Sequence, residues 1–285
     1  MIAPTTAVTA LLLYFGRQHA AAFFGYFGVN FTVLDLTPTD FLVRSADGLF
    51  VPIAIAALCA LVGLWAHRLV VYRLPGDDRR SILRVVAPAA ATTGAVLVAV
   101  AVATVLTGTR PVRQVPEAGG LSLSIGVLLL VYGVHLARSV WTRDEDATTA
   151  QAPGIGVAEW GAVFVLVTVG LFWAVTSYAG GVGQGRALDL LERMAGWPDA
   201  VVFSERSLSL DVPGVVEVPC AVAGESEVAY RFRYDGLKLV QQAGDHYLLL
   251  PAEWTPRSGA AVLLPRTDDV RLEFALAGTE RQPVC

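Results

Sequence analysis

An arginine-rich stretch between two long apolar runs constrains this chain more than any other feature of its sequence. Five arginines lie within residues 68–84, and an apolar run of about twenty residues, enough to cross a bilayer, lies on either side. Arginine beside a membrane-spanning helix stays on the cytoplasmic side, because moving guanidinium groups across the bilayer during insertion is unfavourable. We therefore expect this stretch to form a cytoplasmic loop, which sets the side of every later segment by alternation.

Composition also indicates a multi-pass membrane protein. Hydrophobic residues make up 54% of the 285 residues and charged residues only 16%, whereas a soluble domain carries about 25% charged residues. Residues 1–180 contain 10 acidic and 11 basic side chains, and residues 181–285 contain 15 acidic and 10 basic ones. We predict a transmembrane domain over 1–180 and a soluble domain over 181–285. The acidic second domain argues against a nucleic-acid partner, because binding to phosphates requires Lys and Arg.

Five apolar segments predict an all-α membrane bundle of four or five spans. The first segment contains charged and polar residues at its centre, so it is the one segment whose crossing of the membrane is open, which gives four or five spans. The N-terminus lacks the basic region of a cleavable signal peptide, and we expect this first segment to remain in the protein. Thr37 followed by Pro38 predicts a helix start before the second span. The predicted spans cover about 7–29, 49–71, 85–106, 121–137 and 158–179.

Alternation from the arginine-rich loop predicts the orientation of the whole chain. With residues 73–85 inside, 107–120 lie outside, 138–157 lie inside and the C-terminal domain lies outside the cytoplasm. We therefore predict a multi-pass protein of the plasma membrane with the lipid bilayer as its first partner. Among the arginines in the loops and flanks of the predicted spans, seven are then cytoplasmic and four are not. The cytoplasmic ones are Arg68, Arg73, Arg79, Arg80, Arg84, Arg138 and Arg143, and the others are Arg44, Arg110, Arg113 and Arg186.

The first apolar segment contains a candidate polar site at Arg17 and His19. A charged residue at mid-membrane costs a few kcal/mol on insertion scales. Two interpretations stay open. The pair forms an intramembrane site for a ligand or a lipid headgroup, or it is a polar helix face that packs against other helices.

Two patterns of small residues follow in the later spans. Ala87, Ala91, Ala95, Ala99 and Ala103 recur at every fourth position, and small residues at this spacing let helices approach closely. The glycine-rich run 180–185 lacks the strand and the Lys-Ser/Thr of a phosphate-binding loop. We expect it to be a flexible hinge, followed by a separate helix over 186–195.

The pattern after residue 200 changes to the two-residue period of β-strands, which predicts a small α+β, β-rich domain. Asp235-Gly236 is a strong signal for a two-residue hairpin turn, because glycine tolerates positive φ. The predicted strands are 201–205, 207–211, 215–220, 230–234, 237–241, 246–250, 260–264 and 270–274.

Two sets of residues resemble a known group of proteins. The first comprises Tyr26-Phe27-Gly28-Val29, Leu34, Asp40-Phe41-Leu42 and Arg44-Ser45. The second comprises the run 230–237, Leu249-Leu250-Pro251 and Trp254. Together they resemble an uncharacterised family of multi-pass integral membrane proteins common in actinobacteria. The resemblance implies a membrane protein and no particular activity.

The sequence predicts no catalytic, cofactor-binding or metal site. His67 and His135 lie near the same predicted membrane surface, but no carboxylate or thiol joins them as a further ligand. His246 follows Asp245 on a predicted strand, where adjacent side chains point to opposite faces and make a poor catalytic pair. The scarcity of acidic residues within the spans also argues against an ion-coupled carrier.

The three cysteines divide between the two predicted domains. Cys59 lies within the second span, where we expect a free and buried thiol. Cys220 and Cys285 lie in the domain predicted outside the cytoplasm, where thiols oxidise. We predict a disulfide between them, with two free thiols as the alternative.

The leading functional hypothesis is a non-enzymatic membrane protein. Its outer β-rich domain would sense, bind or scaffold a partner, such as another membrane or envelope protein. The alternative is a pore or transporter in which Arg17 and His19 line a polar path.

Overall fold

The computed structural model describes residues 4–73, 76–107, 118–141, 153–220, 229–257 and 259–277, which form two compact units. The first unit consists of Met1–Ala46 together with Gly180–Cys285, and the second consists of Asp47–Ala179. The sequence pattern does not predict that residues 1–46 join the C-terminal residues. The grouping arises from packing contacts between distant parts of the chain.

Three of the described helices contain an apolar stretch long enough to cross a membrane, namely Leu49–Ala66, Arg84–Thr104 and Ala158–Met194. The first two overlap the predicted second and third spans, and the last contains the predicted fifth span and extends 15 residues beyond it. Gly119–Val134 is a shorter apolar helix, and the helix over the first predicted span is not among the three. In order, the described helices are α1 Pro4–Tyr26, a 3₁₀ turn Phe31–Leu34, α2 Pro38–Arg73, α3 Gly76–Thr107, α4 Ala118–Trp141 and α5 Pro153–Met194.

Helices of the second unit approach one another at glycines. A Cβ on Gly133 of α4 would press on the backbone of Ala87 and Ala91 in α3, and Gly94 of α3 lies against the backbone of Gly126. Gly120 of α4 lies in the same way against α5. Only part of the predicted row of alanines therefore lies at the contact with α4. A row of every fourth residue drifts by about 40° per step around a helix of 3.6 residues per turn, so α3 packs through positions 87, 91 and 94 instead.

The first unit contains an antiparallel sheet of six strands among the described residues, as expected for a β-rich C-terminal domain. The long strand β3 is central, with β1 on one side and both β2 and β4 on the other. The order across the sheet is β5-β4-β3-β1-β6. The strands are β1 Asp199–Ser204, β2 Val216–Pro219, β3 Phe232–Ala243, β4 His246–Pro251, β5 Val262–Pro265 and β6 Val270–Ala275.

The predicted strand over 207–211 is wrong, because these residues cover a face of the sheet without joining it. Leu208 and Leu210 pack on the core formed by Tyr234, Leu237 and Leu249. The backbone N–H of Leu208 donates to the Tyr234 hydroxyl at 2.6 Å. Leu208 and Leu210 are partly buried, and a tyrosine hydroxyl replaces a neighbouring strand as the partner of the Leu208 backbone.

The predicted hairpin at Asp235-Gly236 is also wrong, because β3 continues through both residues. Gly236 has the positive φ that the prediction used, at +88°, but it forms a bulge. Tyr234 pairs with Val202 and Leu237 pairs with Ala200, so β3 uses three steps where β1 uses two. The bulge keeps Tyr234 and Leu237 on the same buried face of the sheet. The chain reverses later, at Gly244.

The glycine-rich run 180–185 is helical, so the predicted hinge and the separate helix are replaced by the continuous α5. A Cβ on Gly183 would overlap the backbone carbonyl of His19. Glycine costs up to about 1 kcal/mol in a helix interior, and tertiary packing offsets this cost. At Gly183 the absent side chain lets α5 cross α1 closely.

Candidate functional site: an arginine centre between helices and sheet

One face of the sheet is covered by helices from both parts of the first unit. Phe23 and Phe24 of α1, and Phe27 directly after it, form a core with residues of α5 and of the strands, and the Trp254 ring lies 5.2 Å from that of Phe27. The aromatic rings meet edge to face, which their quadrupoles favour. The other members of this core are Ala20, Leu34, Ala187, Leu190, Met194, Ala243, Leu248 and Leu250.

The predicted helix start at Thr37-Pro38 is present and orients the beginning of α2. The Asp40 carboxylate accepts from the Thr37 backbone N–H at 2.8 Å, and the Thr37 hydroxyl accepts from the Asp40 N–H at 3.3 Å. This reciprocal pair caps the helix. Helix α1 approaches α2 at Gly16, where a Cβ would overlap the Phe41 carbonyl. Cap and glycine together direct the first turns of α2 toward the aromatic core.

Arg44 of α2 occupies the centre of this arrangement. Its guanidinium lies 5.4 Å and 5.0 Å from the ring centroids of Phe23 and Phe24, and it donates to Gln241 Oε1 of β3 at 2.5 Å. One side chain of α2 thus contacts both α1 and the sheet. Desolvation by burial lowers the pKa of Arg44, and the nearby Asp40 carboxylate opposes that effect. The guanidinium keeps its charge, because an arginine pKa starts far above neutrality.

The turn between β3 and β4 is seated beside this centre. Gly244 has φ +53°, and a Cβ there would lie 3.0 Å from the Asp35 Cβ and 3.4 Å from the Leu34 carbonyl oxygen. Asp35 itself ends the 3₁₀ turn in a left-handed conformation, with φ 45°. The sheet therefore contacts the N-terminal segment at two points, the Arg44–Gln241 hydrogen bond and this turn.

The structure places Arg17 and His19 in different environments. The Arg17 side chain is exposed, with its guanidinium 5.3 Å from the Phe31 ring centroid. His19 is buried, at 3% exposure, where α1 crosses α5. Two residues apart on a helix is about 200° of rotation, so the side chains leave opposite sides of α1. Their predicted polar role stays a prediction.

A second buried cation stabilises the junction between α5 and the sheet. Lys238, the only lysine of the chain, is 3% exposed. Its ammonium lies 2.8 Å from the Asp199 carboxylate and donates to the Trp197 carbonyl at 2.5 Å. These contacts fix the short connection from α5 to β1. Sequence analysis missed both Arg44 and Lys238, although a lone lysine between apolar strand residues is a signal that could have identified the second.

The remaining sequence candidates do not form a reactive cluster in the part of the chain that the structure describes. The side chains of His67 and His135 lie outside the described set. His246 begins β4, and Asp245 lies in the turn before it. Within the described ranges, no group of three or more His, Cys, Asp or Glu side chains is placed to hold a metal ion.

The cysteine predictions have different outcomes. Cys59 is free, as predicted, but it is exposed on α2 and not buried among other helices. Cys220 is buried at 4% exposure beside the end of β2. Cys285 lies outside the described residues, so the bond between Cys220 and Cys285 stays a prediction.

Comparison of the chain with known protein families, with characterised proteins and with solved structures finds no match. The resemblance to the actinobacterial membrane family therefore also stays a prediction. The role that the arrangement itself shows is structural, because buried and half-buried cations and aromatic rings join three helices and a sheet into one unit.

Proposed function

We propose that the chain is a multi-pass protein of the plasma membrane that senses, binds or scaffolds a partner through an extracytoplasmic β-rich domain, without catalysing a reaction. The observation that supports this most is the continuity of two helices. Helix α2 contains an apolar stretch and also carries Arg44, and α5 contains another and also carries the core residues Leu190 and Met194. A ligand that shifts the sheet would act directly on both helices.

The Arg44–Gln241 hydrogen bond is the contact through which such a shift would reach α2. Arg44 precedes the apolar stretch, which starts at Leu49, by only five residues. A helix transmits displacement over so short a distance with little bending. The proposed partner is another membrane or envelope protein, and the proposed surroundings are the lipid bilayer, with no nucleic acid and no cofactor.

Crosslinking in native membranes tests this proposal. A photoreactive residue replaces Phe274 of β6 or Val216 of β2, both 58% exposed, and a matched control replaces Phe164 of α5, which is 71% exposed. We expect discrete protein adducts from the sheet positions and lipid adducts from Phe164, identified by mass spectrometry. Adducts with lipid alone at every sheet position would contradict the proposal.

Two further measurements separate the alternatives. Reporters active only in the cytoplasm should work within 73–85 and fail after Ser177, and activity at the C-terminus would overturn the proposed orientation. The pore or transporter alternative expects a conductance of the reconstituted chain that is lost in Arg17→Ala. The sensor expects no conductance in either form.

A further inference from the structure

The connection between α2 and α3 is rich in arginine. Between residues 68 and 84 lie five arginines and two aspartates. Two of the arginines, Arg68 and Arg84, have exposed side chains. Arg68 follows the apolar stretch Leu49–Ala66 by two residues, and Arg84 is the first residue of the stretch Arg84–Thr104. Both therefore stand where apolar helix surface meets polar surroundings.

Both arginines lie within about two helical turns of the connection between α2 and α3. Arg68 lies five residues before the end of α2 at Arg73, and Arg84 lies eight residues after the start of α3 at Gly76. At 1.5 Å per residue these distances are about 8 Å and about 12 Å. Only Leu74 and Pro75 separate the two helices in the chain, so both arginines lie close in sequence to the same connection.

Neighbouring residues support a position at the membrane interface. Trp65, one helical turn before Arg68, is 65% exposed, and Val85, next to Arg84, is 68% exposed. An exposed tryptophan beside an arginine is typical of the boundary between acyl chains and headgroups. The guanidinium presents paired donors that match two oxygens of a phosphate, and several arginines beside a membrane helix attract anionic lipids.

We propose that this arginine pair, Arg68 and Arg84, forms a binding surface for the phosphate groups of anionic phospholipids. Arg73, Arg79 and Arg80 lie between them in the sequence and add positive charge to the same connection. The inference rests on the membrane insertion contained in the proposed function. The inference adds that the protein prefers anionic lipids. Arginines can set the orientation of the chain without such a preference.

Lipid titration of the purified full chain, followed by native mass spectrometry, tests the arginine pair. We expect the wild-type chain to bind phosphatidylglycerol more tightly than phosphatidylcholine. The double variant Arg68→Gln/Arg84→Gln should bind phosphatidylglycerol about 25-fold more weakly, because each arginine near the membrane surface contributes about a fivefold increase in affinity. Arg68→Lys/Arg84→Lys keeps the charge and should stay close to wild type.

A surface control and a competition experiment complete the test. Arg206→Gln/Arg266→Gln removes the same charge from exposed positions of the first unit that lie outside the three apolar stretches, and it should leave phosphatidylglycerol binding unchanged. Inorganic phosphate should not displace the lipid at equal concentration. If it does, the surface recognises free phosphate and the lipid assignment is overturned. Wild-type binding in the glutamine variant, or an equal loss in the lysine variant or the surface control, would also overturn it.

The three remaining arginines of the connection keep the orientation signal in every variant. A chain that alkaline carbonate extracts from vesicles would count against membrane insertion, and hence against the proposed function. A chain that stays inserted but shows no preference for phosphatidylglycerol would count against the arginine pair alone.

Discussion

The two units bring their helices together with different residues. In the second unit, α3, α4 and α5 meet backbone to backbone at Gly94, Gly120 and Gly133. In the first unit, large aromatic side chains fill the space between helices and sheet, and two buried or half-buried cations, Arg44 and Lys238, lie among them. The first unit also has close approaches at Gly16 and Gly183, so what distinguishes it is the aromatic and charged side chains between its helices and its sheet.

The physical reason lies in the solvent. In lipid, apolar side chains gain nothing by leaving their surroundings for a helix interface, so close backbone contact supplies the attraction. In water, burial of apolar area stabilises the fold by about 25 cal/mol per Å². Large rings are then the most effective core residues. The glycine contacts between α3, α4 and α5 are the kind that the first rule favours, and the ring-filled core of the first unit is the kind that the second favours, with glycine contacts present in both units.

The largest expected effect concerns the cysteines, because a disulfide would add a cross-link to the first unit only. The closed loop from Cys220 to Cys285 is about 65 residues, and Cys220→Ser should cost about 4 kcal/mol in the free energy of unfolding. Cys59→Ser in the second unit is the control and should have little effect. Non-reducing peptide mapping checks the bond, and two alkylatable thiols in freshly isolated membranes would reject it.

The next effect tests glycine packing in the second unit. A Cβ at Gly120 would lie 2.7 Å from the Ala174 Cα, so Gly120→Leu forces α4 and α5 apart. We expect a loss of about 3 kcal/mol, as for overpacked interfaces. Gly161→Leu in α5 is a matched control, since a Cβ there would meet no atom of another described segment within 4 Å. Equal stability of the two variants in detergent unfolding would contradict glycine-mediated packing.

A smaller effect tests the arginine centre of the first unit. Arg44→Met leaves the Gln241 carbonyl oxygen without its donor and removes two cation–π contacts. The expected cost is about 2 kcal/mol in chemical unfolding. A double-mutant cycle with Gln241→Met separates the pair from the packing of the side-chain stem. Additive losses would show that the two side chains do not stabilise each other.

The smallest effect on stability is expected at Arg17, which is exposed and has its guanidinium 5.3 Å from the Phe31 ring centroid. Arg17→Leu should hold or improve membrane insertion, because it removes a charge from an apolar segment. A functional role for Arg17 requires that the same variant lose activity. The fraction of chain resistant to carbonate extraction measures insertion, and a clear decrease would contradict this expectation.

Local sequence signals were reliable where one short-range interaction determines the outcome. Thr37 and Pro38 start a helix because side chain, backbone and ring geometry act within a single turn. The three apolar stretches are helical because every backbone polar group then finds a partner within the stretch. The two-residue period after residue 200 likewise predicted a sheet.

Local signals failed where a distant segment changes the local preference. Gly236 and Gly183 are glycines that sequence rules assign to a turn and a hinge. The structure uses Gly236 for a bulge beside Gly214 and Gly183 for a helix crossing at His19. In both places the absent side chain makes room for a backbone that is remote in sequence, which no short-range rule includes.

The sequence by itself determined the helical apolar stretches, the β-rich C-terminal part and the arginine-rich connection, because these depend on composition and on neighbours within a few residues. Only the tertiary structure decided that residues 1–46 join the sheet, that Arg44 and Lys238 are placed between its helices and strands, and that His19 is buried where α1 crosses α5. These outcomes depend on contacts between residues up to about 200 positions apart, since such contacts form only when packing of the whole unit offsets the entropy of closing long loops.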